Sequence, residues 1–92
     1  MLQGKVIYNE QEQSGDYVWT GIPSYMTANF KATFGDEAVQ IAFTAVALIL
    51  ENHPHDADYF QTFKYIYPDG KVIQFWIIND VDHYTALLPS DY

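Results

Sequence analysis

The sequence predicts an α+β domain in which a mainly antiparallel sheet packs on one long helix. Residues 36–52 form an almost unbroken apolar run with helical character. Residues 59–78 switch to alternation around Pro68-Asp69-Gly70. Strand-like and helix-like segments fall in separate blocks, in the order ββααβββ, which favours α+β over an alternating parallel architecture.

In chain order, Lys5-Val6-Ile7-Tyr8-Asn9 reads as a strand and residues 10–16 as a polar loop. Tyr17-Val18-Trp19-Thr20 is β-branched and aromatic, so it reads as a second strand completing an N-terminal hairpin. Ser24, after Pro23, suits a helix cap. A first helix over 25–32 follows, with Met26, Phe30 and Phe34 each one turn apart and Gly35 in the place of a C-terminal glycine.

Between Asp36 and Asn52 only Glu37, Gln40, Thr44 and Glu51 are polar, and they share one narrow stripe. A helix so apolar is expected to be buried on several sides. Thr33-Phe34-Gly35-Asp36 has capping-box spacing, and Pro54 disfavours helical geometry at His53. The apolar core is shorter than the roughly 20 residues of a membrane span and is interrupted by Gln40 and Thr44. A core helix over 36–52 is therefore predicted, and no membrane partner.

Pro68 suits the first central position of a type I turn and Gly70 the left-handed position of a bulged three-residue loop. That loop sets Tyr67 opposite Lys71. Tyr65 then faces Ile73, Phe63 faces Phe75 and Gln61 faces Ile77 on one side of the hairpin. On the other side Ile66 meets Val72, Lys64 meets Gln74, Thr62 meets Trp76 and Phe60 meets Ile78. A two-residue turn would mix polar with apolar partners on both sides. The Phe63/Phe75 side is expected against the long helix, with Ile41, Val46, Leu48, Ile49 and Leu50 packed out of solvent. Residues 84–88 form a last strand, closed by Pro89.

At 92 residues the chain is expected to be one domain, residues 1–92, and 49% hydrophobic with 17% aromatic content excludes a disordered chain. With no cysteine there is no disulfide, thiol nucleophile or thiolate metal site. Nothing resembles a signal peptide, so a cytoplasmic location is expected. The net charge is -8 and the four cations are all lysines. Without arginine or a basic cluster, direct nucleic-acid binding is not expected, and neither is an anionic membrane surface.

Candidate chemistry is sparse. His53, His55, Asp56 and Asp58 bring metal-ligand types together and resemble part of a His-x-His-x-Asp motif, against the plainer reading of solvated loop residues. Ser14, Ser24 and Ser90 lack a nucleophile elbow, and all five glycines are isolated, so neither a triad nor a phosphate loop is indicated. No cofactor is expected. The acids of three loops admit mimicry of nucleic-acid phosphates towards a basic protein.

The remaining signal is aromatic. Phe60, Thr62, Ile66, Val72, Trp76 and Ile78 make the second hairpin side too apolar to face water comfortably. Either the N-terminal hairpin or first helix covers it, or another chain does, and a two-fold homodimer is one such solution. The leading expectation is a small non-catalytic interaction protein with a protein partner. A metal or small-molecule site at residues 53–58 is the alternative.

Leu87-Leu88-Pro89-Ser90-Asp91-Tyr92 resembles the ending of small uncharacterised proteins carried by bacterial phages and other mobile elements, which finish in a strand followed by Leu-Pro-Ser-Glu-Tyr. Asp91 stands where Glu is more usual. The resemblance covers these six residues. It implies an accessory, interaction-type protein and assigns no site residue.

Overall fold

The structure is a computed structural model describing residues 2–92. Its elements are β1 (Lys5–Asn9), β2 (Ser24–Met26), α1 (Ala28–Phe34), a 3-10 turn (Gly35–Glu37), α2 (Ala38–Asn52), β3 (Phe60–Ile66), β4 (Val72–Asn79), β5 (Tyr84–Leu87) and a second 3-10 turn (Pro89–Asp91). The five strands form one sheet in the order β1-β3-β4-β5-β2, antiparallel except for β2 on β5. The fold is α+β.

The central hairpin has the register that its turn dictates. Phe63 pairs with Phe75, Tyr65 with Ile73, Gln61 with Ile77 and Thr62 with Trp76. Tyr67 donates its N–H to the Lys71 carbonyl at 2.8 Å, and Gly70 takes φ 93°, which a side chain would resist. Successive residues point to opposite sides, so Phe63, Tyr65, Phe75 and Ile77 are sealed against the helices. Phe63 stacks on Phe75 at 5.2 Å, and Phe30 and Phe34 meet the Phe75 ring edge-on at 5.5 and 5.8 Å.

The N-terminal hairpin is not formed. β1 leaves its expected partner and pairs with β3, placing Val6 opposite Tyr65 and Tyr8 opposite Phe63. Residues 17–20 run as irregular backbone. Tyr17 N–H donates to the Ala57 carbonyl, and the Val18 carbonyl accepts from Asn79 Nδ2. Trp19 is buried, tilted on Tyr84 at 5.3 Å. Of the side chains that suggested a strand, Trp19 fills the core from a loop, while Val18 and Thr20 are exposed.

The first helix starts later than its sequence suggests. Ser24 is not a cap but the first residue of β2, held beside β5 by Tyr84 N–H on the Pro23 carbonyl and Thr27 N–H on the Ala86 carbonyl. Thr27 is the cap, its hydroxyl accepting from Phe30 N–H at 3.1 Å. Gly35 ends α1 with φ 57°, its N–H on the Lys31 carbonyl.

The long helix differs in two respects. Residues 35–37 form the 3-10 turn and no capping box closes on Asp36; α2 begins at Ala38 without a side-chain cap. Glu37 instead accepts from Gln3 N–H at 2.9 Å and the Tyr65 hydroxyl at 3.4 Å. Nor is α2 buried on several sides. Ala38, Ile41, Ala42, Ala45, Val46 and Ile49 form one buried stripe, whereas Val39, Phe43 and Leu50 are exposed and Leu48 is half-buried. A two-layer architecture has only one sheet to offer a helix, so the opposite stripe stays open whatever its composition. By length and hydropathy the run Ala28–Asn52 also suits a membrane-crossing helix; in the fold Gly35 breaks it and its buried stripe lies on the sheet.

Candidate interaction face

Because β3 and β4 alternate, the residues opposite to the core set share the other side of the sheet: Phe60, Thr62, Lys64 and Ile66 on β3, with Val72, Gln74, Trp76 and Ile78 on β4. Ile7 joins them beside Lys64, and Leu87 beside Trp76. Neither the first helix nor residues 17–20 covers this side, since Phe30, Phe34 and Trp19 all belong to the core on the other. The cover from within the chain is local. Tyr92, itself 84% exposed, meets Trp76 edge-on at 5.7 Å, and Phe60 meets it at 5.0 Å. Val72 keeps 50% of its surface in solvent.

Rings continue beyond the strands. Tyr17 lies on Tyr59 at 5.7 Å, Tyr59 on Phe60 at 6.2 Å, and Phe60 on Trp76, so a chain of five aromatics runs from Tyr17 to Tyr92. Tyr17, Tyr59 and Tyr92 come from three separate irregular segments, so no periodicity in the sequence joins them to Trp76.

Charge is unevenly distributed along the strands. Lys5 and Lys64 lie towards the β3–β4 turn, where Lys71 sits with Nζ 5.7 Å from the Tyr67 ring centre. At the opposite end the acidic segments, far apart in sequence, are gathered. Gly15 N–H donates to the Asp56 carbonyl, Gln11 Nε2 to the same carbonyl, and Asn79 Nδ2 bonds Val18. Gly15 permits this closeness, since a Cβ there would stand 2.8 Å from the Ala57 carbonyl oxygen. A cavity of about 380 Å³ opens at this end, with Glu10, Glu12, Asp58, Tyr59, Phe60 and Thr62 in its wall.

The His53 loop is held as part of the same end. His53 Nδ1 donates to Asp56 Oδ1 at 2.9 Å and Nε2 to Glu10 Oε1, and since a neutral imidazole has one N–H, two carboxylate partners call for the imidazolium. Burial works against that charge, but the hydrogen bonds to Glu10 and Asp56 outweigh it and raise the His53 pKa above the ordinary histidine value. Asp58, 5% exposed, accepts from Tyr59 N–H. Gln61 Nε2 donates to Gln11 Oε1 and to the Asp58 carbonyl, and its Oε1 accepts the Tyr8 hydroxyl at 2.8 Å. Burial, then the nearby Glu10 charge, push the Tyr8 pKa up to about 12, so it stays a donor.

The proposed metal ligands therefore do not converge. His53 has both nitrogens engaged and Asp58 turns to its own backbone. Among the described residues no three histidine or carboxylate side chains are placed to share an ion. His83 repeats the pattern, bonding Asp82 at 2.6 Å and Asp80 at 3.4 Å. Residues 53–58 act as a fastening between loops, with Tyr8, Gln11 and Gln61 as participants that short-range motifs could not reveal. No family model, curated protein or solved structure matches the chain.

Proposed function

We propose that the chain is a small, non-catalytic interaction protein that docks a protein partner on the open side of its sheet. The observation that carries this is the open Trp76 side, where Phe60 and Ile78 lie beside the half-buried indole, Ile66 and Val72 continue the apolar surface further along the strands, and among the described residues no second layer lies across them. An aromatic centre with a lysine and glutamine rim has the composition of a protein contact surface.

Affinity capture from the host's lysate tests the reading when wild type is compared with Trp76→Glu and Phe43→Glu, each confirmed folded by circular dichroism. A protein retained by wild type and Phe43→Glu but lost from Trp76→Glu is the expected result. Loss with Phe43→Glu alone would move the contact to α2.

The gathering of three acidic segments at one end supports a second reading, an acidic surface offered to a basic protein in place of nucleic-acid phosphates. Binding of that kind weakens steeply with salt, because screening shortens to roughly 3 Å at 1 M.

A further inference from the structure

We infer that the occupant of the open sheet face is a second copy of this chain, set end for end, so that the lysine end of each sheet lies over the acidic end of the other. This deepens the docking role proposed above and rests on it. Lys5 and Lys64 belong to the open side towards one end of β1 and β3, while Lys71, at the same end with Asp69 in its turn, lies over Tyr67 on the core side. Among the described residues, every ion pair uses a histidine, so these lysines lack a carboxylate partner on a chain that has twelve. The groove with Glu10, Glu12 and Asp58 lies at the other end, and its wall includes Phe60 and Thr62, which also belong to the open face. The apolar set thus shares the open side of the sheet with Lys5 and Lys64, and the groove at its other end holds Glu12, exposed and, among the described residues, in no ion pair.

A two-fold axis lying in the contact plane and running across the strands reverses strand direction while keeping β3 over β3 and β4 over β4. Centred on the Thr62–Trp76 pair, it carries Lys64 to Phe60 of the second copy, at the mouth of the acidic groove. Sheets stacked about 10 Å apart leave a layer that Phe60, Trp76 and Ile78 from both copies fill, and that a lysine side chain spans. The contact is isologous, each lysine end meeting the other copy's acidic end, so that the contact occurs twice.

The orientation also follows from net charge. Two copies at -8 repel, and stacking with strands in the same direction would set acid upon acid. End-for-end stacking makes the nearest charges opposite, which is how charge fixes register at an interface. The exposed stripe of α2 has no such partition: Val39, Phe43 and Leu50 have Gln40 and Glu51 beside them and no lysine in the helix.

Sedimentation equilibrium at low and high salt tests this on the full chain, with all variants checked for fold by circular dichroism. Wild type is expected to dimerise and to dissociate more readily in high salt. Lys64→Glu and Glu12→Lys should each raise the dissociation constant by about ten-fold or more. An equimolar mixture of the two should recover a heterodimer, since one Lys64–Glu12 pair is then native and the other is restored with its signs exchanged. Phe43→Glu should behave as wild type, and Lys64→Gln serves if the glutamate variant unfolds.

A wild-type chain that stays monomeric at high micromolar concentration overturns the second-copy occupant, while the docking role is judged separately by Trp76-dependent capture. A dimer indifferent to Trp76→Glu overturns this face as its contact. A dimer that Trp76→Glu breaks but neither charge reversal weakens overturns the end-for-end arrangement.

Discussion

Asp91 and Thr27 are joined across 64 residues of sequence, the threonine hydroxyl donating to the aspartate at 2.7 Å while it accepts from Phe30 N–H as the cap of α1. The same carboxylate takes Leu88 N–H and Asn29 Nδ2, both at 3.0 Å. One acid thereby ties the turn after β5 to the start of the first helix.

The Leu88 N–H bond first, then those from Thr27 and Asn29, hold the Asp91 pKa below its ordinary value. Its stabilising effect is present above the ordinary carboxylate range and is lost as pH falls through the lowered folded value. Asp91→Asn should therefore melt at a lower temperature than wild type near neutrality, and the gap should close in acid. Thermal melts across that range check it; a gap independent of pH would disconnect the charge from the fastening.

Phe75 is sealed among Phe30, Phe34 and Phe63. Phe75→Ala should cost about 3 to 5 kcal/mol in urea unfolding, a large share of a small domain's stability. A loss below about 1 kcal/mol would mean that the ring stack is not the centre of the core.

His53 carries the opposite pH signature to Asp91. Its folded pKa is raised, so its contribution is complete below the ordinary histidine value and is lost as pH rises through the folded one. His53→Gln should trail wild type most clearly in mild acid and converge with it in mild alkali, read by chemical unfolding at each pH. Zinc should produce no thermal shift in the wild type, because engaging His53 would first have to displace Glu10 or Asp56.

Val81 adopts φ 78° in the turn between β4 and β5, with its N–H on Asn79 Oδ1 and 72% of its surface exposed. A β-branched residue is strained there, and little burial is lost by removing it. Val81→Asn should stabilise the fold by about 1 kcal/mol. Unchanged stability in urea would show that the turn relaxes around valine.

The central hairpin and the long helix are legible in the sequence because their signals are local. Pro68-Asp69-Gly70 sets a loop length, and that length alone decides which residue faces Phe63. The edges of the sheet are not legible, since their partners are distant: nothing in Ser24-Tyr25-Met26 announces Tyr84, Thr85 and Ala86. Trp19 misleads for a related reason, because composition shows that an aromatic will be buried but not whether a strand or a loop delivers it. Of the open face, the set around Trp76 follows from hairpin parity. The fastening around His53 and the separation of charge along the strands need the tertiary fold, which brings Glu10 and Gln11 to residues 56–61.

Both edges of the sheet, β1 and β2, come from residues 5–26, yet their partners β3 and β5 lie beyond residue 59. During synthesis the early strands have nothing to pair with until the later meander has emerged, so the helices and the β3–β4 hairpin are available to condense first and the leading segment closes on both flanks last. Such long-range closure slows folding, because loop entropy is lost before the pairing contributes. Until it is complete, the margins of β3 and β5 are bare, and crowding of nascent chains at that moment is when this protein is most exposed to aggregation.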